Sequence, residues 1–269
     1  MAKSISELAK EYKDNESTSS KFNRVLIYGG TGSGKTYSLR TFRLPLWVDS
    51  FDPGGSVCLS DYVREGKALV RTKFEKEDWD SPSAFSDWDR EFTANVREGH
   101  FQHVGTYCLD SATTWAQAAM NVILKAAGRA GKVPHQNDWY PQMVLVEKSL
   151  RSIMNLPCDV VFICHDDAVK DEMSGALSRL PLLTGKLSKR IPLLFSEMYF
   201  ARVNRTSKGG EYIWQTVADS QVAARSRNAS IAKVKVEPTE LADFRKLAIK
   251  WGGLQPDLPL IEVTNATAD

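Results

Sequence analysis

Eight consecutive residues, Gly29, Gly30, Thr31, Gly32, Ser33, Gly34, Lys35 and Thr36, combine the features that phosphate chemistry needs. Glycines let the backbone curl so that successive N–H groups converge on phosphate oxygens. Lys35 offers a cation for the β- and γ-phosphates of a nucleotide, and the Thr36 hydroxyl can hold Mg²⁺. The order fits G-x-x-x-x-G-K-[ST] in full. With Tyr37, which follows directly, these residues are the expected cofactor contacts.

A magnesium–nucleotide site also needs an acid at a strand end. The run Tyr107-Cys108-Leu109-Asp110 reads as an apolar strand that delivers Asp110 at its carboxyl edge, where ligands sit in open α/β sheets. Thr36 and Asp110 are thus the expected metal ligands. Ser111 follows in place of a glutamate, so the carboxylate that activates water must come from elsewhere. Asp61, after a second strand expected over residues 57–60, is the first candidate and Glu65 the second. His165 closes a fourth strand, either as a sensor that relays the presence of a γ-phosphate to the following loop or simply as a polar strand terminus.

These side chains require ordered elements to hold them. Short apolar runs predict strands over 24–28, 57–60, 104–109, 159–164 and 198–203, and a further strand over 212–217 after a Gly-containing turn. Helices are expected over 34–42, from a Ser83 cap to Gly99, and over 113–127, 139–155 and 238–250, with a short one at 5–12. Strand and helix alternate through most of the chain. That alternation predicts one α/β domain over residues 22–254, with a mainly parallel sheet covered on both faces and a C-terminal hairpin. Residues 1–21 read as a flexible lead-in and 255–269 as a tail.

Composition narrows the class. The 269 residues carry 35 Lys+Arg against 33 Asp+Glu, a net charge of +2, which excludes a generally polybasic protein. The average conceals a basic stretch, because residues 179–235 hold eleven Lys/Arg and three Asp/Glu. Four cysteines lack zinc-like spacing and sit in or beside apolar runs, as reduced thiols would. No apolar run approaches the ~20 residues of a spanning helix, and residues 1–21 lack a signal-peptide core. A soluble, cytoplasmic protein without a membrane partner is expected.

The loop at residues 29–36, the strand ending at Asp110-Ser111 and the Ile163-Cys164-His165 terminus together resemble RecA-like ATPases. Within these, the chain looks most like phage nucleotide-binding proteins related to the Sak-type single-strand annealing ATPases. The resemblance spans about residues 22–251 and implies a RecA-like P-loop NTPase core with strand order 5-1-4-3-2. It further implies magnesium-dependent ATP hydrolysis, a ring or filament of identical subunits, and action on single-stranded DNA beside other phage replication or recombination proteins. In a phage setting the compartment would be the host cytoplasm.

By the same resemblance, Arg225 and Arg227 are candidate fingers reaching a neighbouring subunit's γ-phosphate. The loop after the fourth strand is the expected DNA contact, through Lys186, Lys189 and Arg190, with Arg205 and Lys208 beyond it. Two alternatives share the phosphate loop. One is a small-molecule kinase, with residues 128–137 as its only long lid candidate. The other is a nucleotide-controlled assembly or loader protein with little turnover.

Overall fold

A computed structural model describes residues 3–14, 21–170, 177–207 and 209–262. Six parallel strands form the centre: β1 (Arg24–Tyr28), β2 (Leu46–Ser50), β3 (Ala68–Arg71), β4 (Thr106–Asp110), β5 (Asp159–Cys164) and β8 (Glu197–Thr206). Between β5 and β8, β6 (Asp166–Lys170) and β7 (Leu177–Pro181) pair as a separate antiparallel hairpin. β9 (Gly209–Gln215), β10 (Arg225–Ser226) and β11 (Thr239–Leu241) then extend the main sheet in antiparallel sense. The order is β11-β9-β8-β1-β5-β4-β2-β3, with β10 on β8. Within its parallel portion, the five strands β8-β1-β5-β4-β2 follow the expected order 5-1-4-3-2.

The second strand is not where the sequence placed it. Residues 57–60 lie in a 3₁₀ turn, Gly55–Leu59, and the start of the next helix, whereas Leu46–Ser50 pairs with β4. β3 adds an unforeseen edge strand. The helix expected over 238–250 divides into β11 and a helix, Phe244–Lys250, whose N-cap Asp243 accepts from the Lys246 N–H.

Strand periodicity explains the layers. In β1 and β5, Val25, Ile27, Val161 and Ile163 face one side, while Leu26, Tyr28, Val160 and Phe162 face the other. The second face is covered by α4 (Ala84–Arg97), α5 (Ala112–Ala126) and α6 (Trp139–Met154), through Phe85, Trp88, Phe92, Trp115 and Leu150. The first packs on Leu39, Phe42, Trp214 and Phe244. The preceding helices are α1 (Ile5–Asp14), α2 (Lys35–Ser38) and α3 (Ser60–Arg64); α7 (Leu187–Arg190), α8 (Arg227–Ala232) and α9 (Phe244–Lys250) complete the set.

Buried charges lock elements together. Arg24, 2% exposed, donates to the carbonyls of Met154, Leu156 and Cys158, satisfying orphan acceptors after α6. Asp49, fully buried, accepts from Arg71 at 2.6 and 2.7 Å, from Trp88 and Tyr107 at 2.8 Å, and from Trp47 at 3.0 Å. The described part of the expected tail is docked: Leu258 and Ile261 donate to the carbonyls of Leu44 and Gly66. Residues 1–2 and 15–20 of the expected lead-in and 263–269 of the tail lie outside the described residues, while Ile5–Asp14 of the lead-in forms α1. Among those described, no helix is long and apolar enough to cross a membrane.

Candidate functional site

Parallel strands bring their carboxyl ends to one edge, and the chemistry gathers there. β1 ends at Tyr28 and the chain turns through the glycines into α2. A Cβ at Gly29 would meet the Ala201 carbonyl oxygen at 2.2 Å, so only glycine permits this approach to β8. Gly34 has φ +80°, and a Cβ there would lie 2.6 Å from the Tyr212 ring. Lys35 is buried and folds over the loop, donating to the carbonyls of Gly29 at 2.7 Å and Gly30 at 2.8 Å. Burial lowers its pKa, while the charges of Asp110 and Asp166 act in the opposite direction.

Thr36 donates its hydroxyl to Asp110 Oδ2 at 2.6 Å. Burial raises the Asp110 pKa to about 6 against that hydrogen bond, and the nearby Asp52 charge pushes it the same way. A hydroxyl and a carboxylate in contact are hard oxygen donors of the kind Mg²⁺ takes. Among the described residues no three His, Cys, Asp or Glu side chains form a metal cluster. Thr36 and Asp110 therefore fit a cation that completes its shell with phosphate and water.

Asp61 does not reach this site. It sits on α3, is not part of the cavity wall, and pairs with Arg40. Glu65 pairs with Lys67 at 2.5 Å, equally removed. The reason is the displaced second strand: the true β2 ends at Ser50, and the acid it presents to the loop is Asp52. The Phe51 N–H donates to the Asp110 carbonyl at 2.6 Å, which fixes the end of β2 against β4. Asp52 then accepts from His165 Nε2 at 2.8 Å, from Ser111 Oγ at 2.9 Å and from the Thr114 hydroxyl. Burial opposes its charge, but the donations from His165, Thr114 and Ser111 outweigh it and hold the carboxyl below its ordinary value.

Loop, acids and histidine surround a cavity of about 650 Å³ that also includes Pro53, Cys58, Tyr37 and Tyr212. Sequence reasoning missed Asp52 and Tyr212. The signal for Asp52 was the Leu46–Ser50 run just before the Asp52-Pro53-Gly54-Gly55 turn. Tyr212 arrives from β9, and only the sheet order reveals its proximity to Gly34. Cys58, expected in a strand, is half-buried on the 3₁₀ turn; Cys108, Cys158 and Cys164 are buried free thiols as expected.

The remaining expected residues lie elsewhere. Arg225 pairs with the opening of β8, at the far edge of the sheet, and its guanidinium donates to the carbonyls of Pro192 and Phe195. Arg227 lines a separate hollow with Asn23 and Trp251. Neither lines the phosphate cavity of its own chain. Lys186, Lys189 and Arg190 are exposed on and before α7, and Arg190 pairs with Glu147 at 2.9 Å. Arg205 is exposed near the tip of the β8–β9 pair. Lys208 lies outside the described residues.

A parallel sheet ordered β8-β1-β5-β4-β2, with a phosphate loop after β1 and an acid at the tip of β4, is the core of a RecA-like P-loop NTPase. The chain belongs to the AAA domain family, which matches residues 21–228, and so to the ATP-binding P-loop ATPases. No curated protein sequence matches it. Among solved structures, a KaiC-like protein from the hyperthermophilic archaeon Pyrococcus horikoshii OT3 is similar over 72% of this chain and 78% of its own, at 13% identity and a TM-score of 0.41.

Proposed function

We propose that the chain binds ATP with Mg²⁺ at Gly29 to Thr36 and hydrolyses it, and that this turnover serves work on single-stranded DNA. The observation that carries the nucleotide half is the Thr36–Asp110 contact at 2.6 Å, which joins the phosphate loop to a buried strand-end acid. Loop N–H groups and the Lys35 ammonium hold the phosphates. Bound Mg²⁺ would supply charge neutralisation at the phosphate oxygens. Asp52, kept ionised and aimed by His165, accepts the proton of the attacking water. Tyr37 and Tyr212, about half exposed at the cavity mouth, offer ring faces to the nucleotide base.

The DNA half rests on the exposed cations Lys186 and Lys189, before and on α7, and Arg205, near the end of β8. The finer reading is a homo-oligomer, ring or filament, acting in phage-type recombination, annealing or replication, in the manner of Sak-type proteins. ATP turnover measured while single-stranded DNA is titrated tests it. A rise in rate that saturates with DNA, and falls steeply as salt increases, is expected. A flat rate with no DNA binding would remove the DNA half and leave the ATPase half standing.

A further inference from the structure

A second hollow of about 350 Å³ opens between the first turn of α6 and the loop before α7. Its walls include Gln136, Trp139, Tyr140, Met143, Thr184 and Lys186. Trp139 is 41% exposed and Tyr140 69%, and neither ring pairs with another aromatic among the described residues. With Met143 beside them, the two adjacent rings form a contiguous exposed apolar patch, the kind of surface that marks an interaction site. The flanking charge is positive. Lys186 and Lys189 are exposed without an ion pair among the described residues, and Arg190 touches Met143 Sδ at 3.2 Å. No carboxylate lines the hollow.

Open rings beside free cations match one class of ligand well. Single-stranded nucleic acid presents base faces to stack and phosphates to neutralise, whereas a duplex hides those faces and an acidic peptide has none. We propose that this groove binds single-stranded nucleic acid, with bases stacked on Trp139 and Tyr140 and phosphates held by Lys186 and Lys189. The proposal rests on the reading of the chain as a nucleic-acid-stimulated ATPase and says where that stimulation enters. The rings precede the basic loop by some 45 residues, so the sequence did not join them.

The groove is wired to the phosphate cavity. The Thr184 hydroxyl donates to Gln142 Oε1 at 3.0 Å, and Gln142 Nε2 donates to the Ala116 carbonyl at 2.7 Å. Two residues earlier, the Leu182 N–H donates to the His165 carbonyl at 2.8 Å, while the Leu182 carbonyl accepts from Thr113 Oγ1 at 2.8 Å. The His165 N–H donates to that same Thr113 oxygen at 3.1 Å, and its ring meets Asp52 at 2.8 Å. Occupation of the groove therefore bears on the loop 182–186, and through it on the histidine that aims Asp52.

Fluorescence anisotropy of the full chain with two oligonucleotides tests the proposal. One is an oligothymidylate and the other an abasic strand of equal length and charge. The wild type is expected to prefer the thymidylate by about tenfold or more, the effect of stacking one or two bases. The double variant Trp139→Ala/Tyr140→Ala, with an unchanged thermal midpoint, loses that preference. Lys186→Ala weakens both strands alike and reduces the salt slope by about one.

If the double variant does not fold, the wild type irradiated with a 5-iodouridine strand is expected to crosslink within the peptide carrying residues 139 and 140. Several results would overturn the groove: equal wild-type affinity for both strands, a double variant that keeps the preference, crosslinks confined to other peptides, or polyglutamate competing as well as thymidylate. DNA-stimulated turnover alongside any of these leaves the functional reading intact. Binding of neither strand, with no stimulation, sinks both.

Discussion

Asp52 is a partly buried acid whose surroundings hold it ionised: three donors, from His165, Ser111 and Thr114, converge on its two oxygens beside the phosphate loop. Asp61, the acid the sequence pointed to, is spent on Arg40 at the surface. The two therefore separate cleanly. Asp52→Asn keeps the shape and the Ser111 and Thr114 contacts but removes the proton acceptor, so kcat is expected to fall by about 100-fold or more, with nucleotide affinity changed little. Asp61→Asn is expected to leave kcat within about twofold. Steady-state phosphate release with a fluorescent-nucleotide titration measures both; equal losses in the two variants would return the base to an open question. At this scale the sequence was a good guide to the loop. Gly29 to Thr36 and Asp110 follow from residue type and order alone, because a cradle of N–H groups and a cation leave little choice of side chain. The acid beside the loop did not follow, since which acid arrives there depends on which strand precedes it.

The element that decides this is β2. Its five residues, Leu46–Ser50, include an acid at the fourth position, which breaks the apolar run by which a buried strand is recognised. Asp49 belongs there because the fold supplies what the sequence pattern hides: Arg71 from β3, Trp88 from α4 and Tyr107 from β4 all donate to it. Removing the carboxylate leaves the half-buried Arg71 guanidinium with Glu91 alone and takes the main acceptor from the buried Trp88 and Tyr107, so Asp49→Ala is expected to cost about 2–4 kcal/mol of stability. Because β2 also carries Asp52 three residues on, turnover of the folded fraction should fall with it. Urea unfolding followed by Trp fluorescence reads the first effect. A loss under about 1 kcal/mol would show that the network does not hold the strand. The hairpin β6–β7 and the edge strand β3 were hidden for a related reason. Their residues are largely exposed or half-exposed, without the buried apolar run that marks β1 or β5.

At the scale of the whole molecule, alternation of strand and helix was enough to predict a parallel α/β core, and the order implied by the family resemblance is the one observed, β8-β1-β5-β4-β2. Long-range pairing was not legible. β9 brings Tyr212 to Gly34, and the loop before α7 comes beside Trp139, across sequence separations that no local pattern encodes. The same pairing tempers the basic stretch at residues 179–235: Arg179 is paired with Asp166 and Arg190 with Glu147, both acids outside it. What the assembled molecule offers is one phosphate cavity at the carboxyl edge of the sheet, with Lys35, Thr36, Asp110 and Asp52 brought there by β1, β4 and β2. The most direct measurement is phosphate release from ATP by the wild type and by Lys35→Ala, each with Mg²⁺ and with the cation chelated. Magnesium-dependent turnover in the wild type that drops to background in Lys35→Ala is the predicted result. Turnover that survives in Lys35→Ala, or that is indifferent to Mg²⁺, would contradict the assignment of this cavity as an ATPase site.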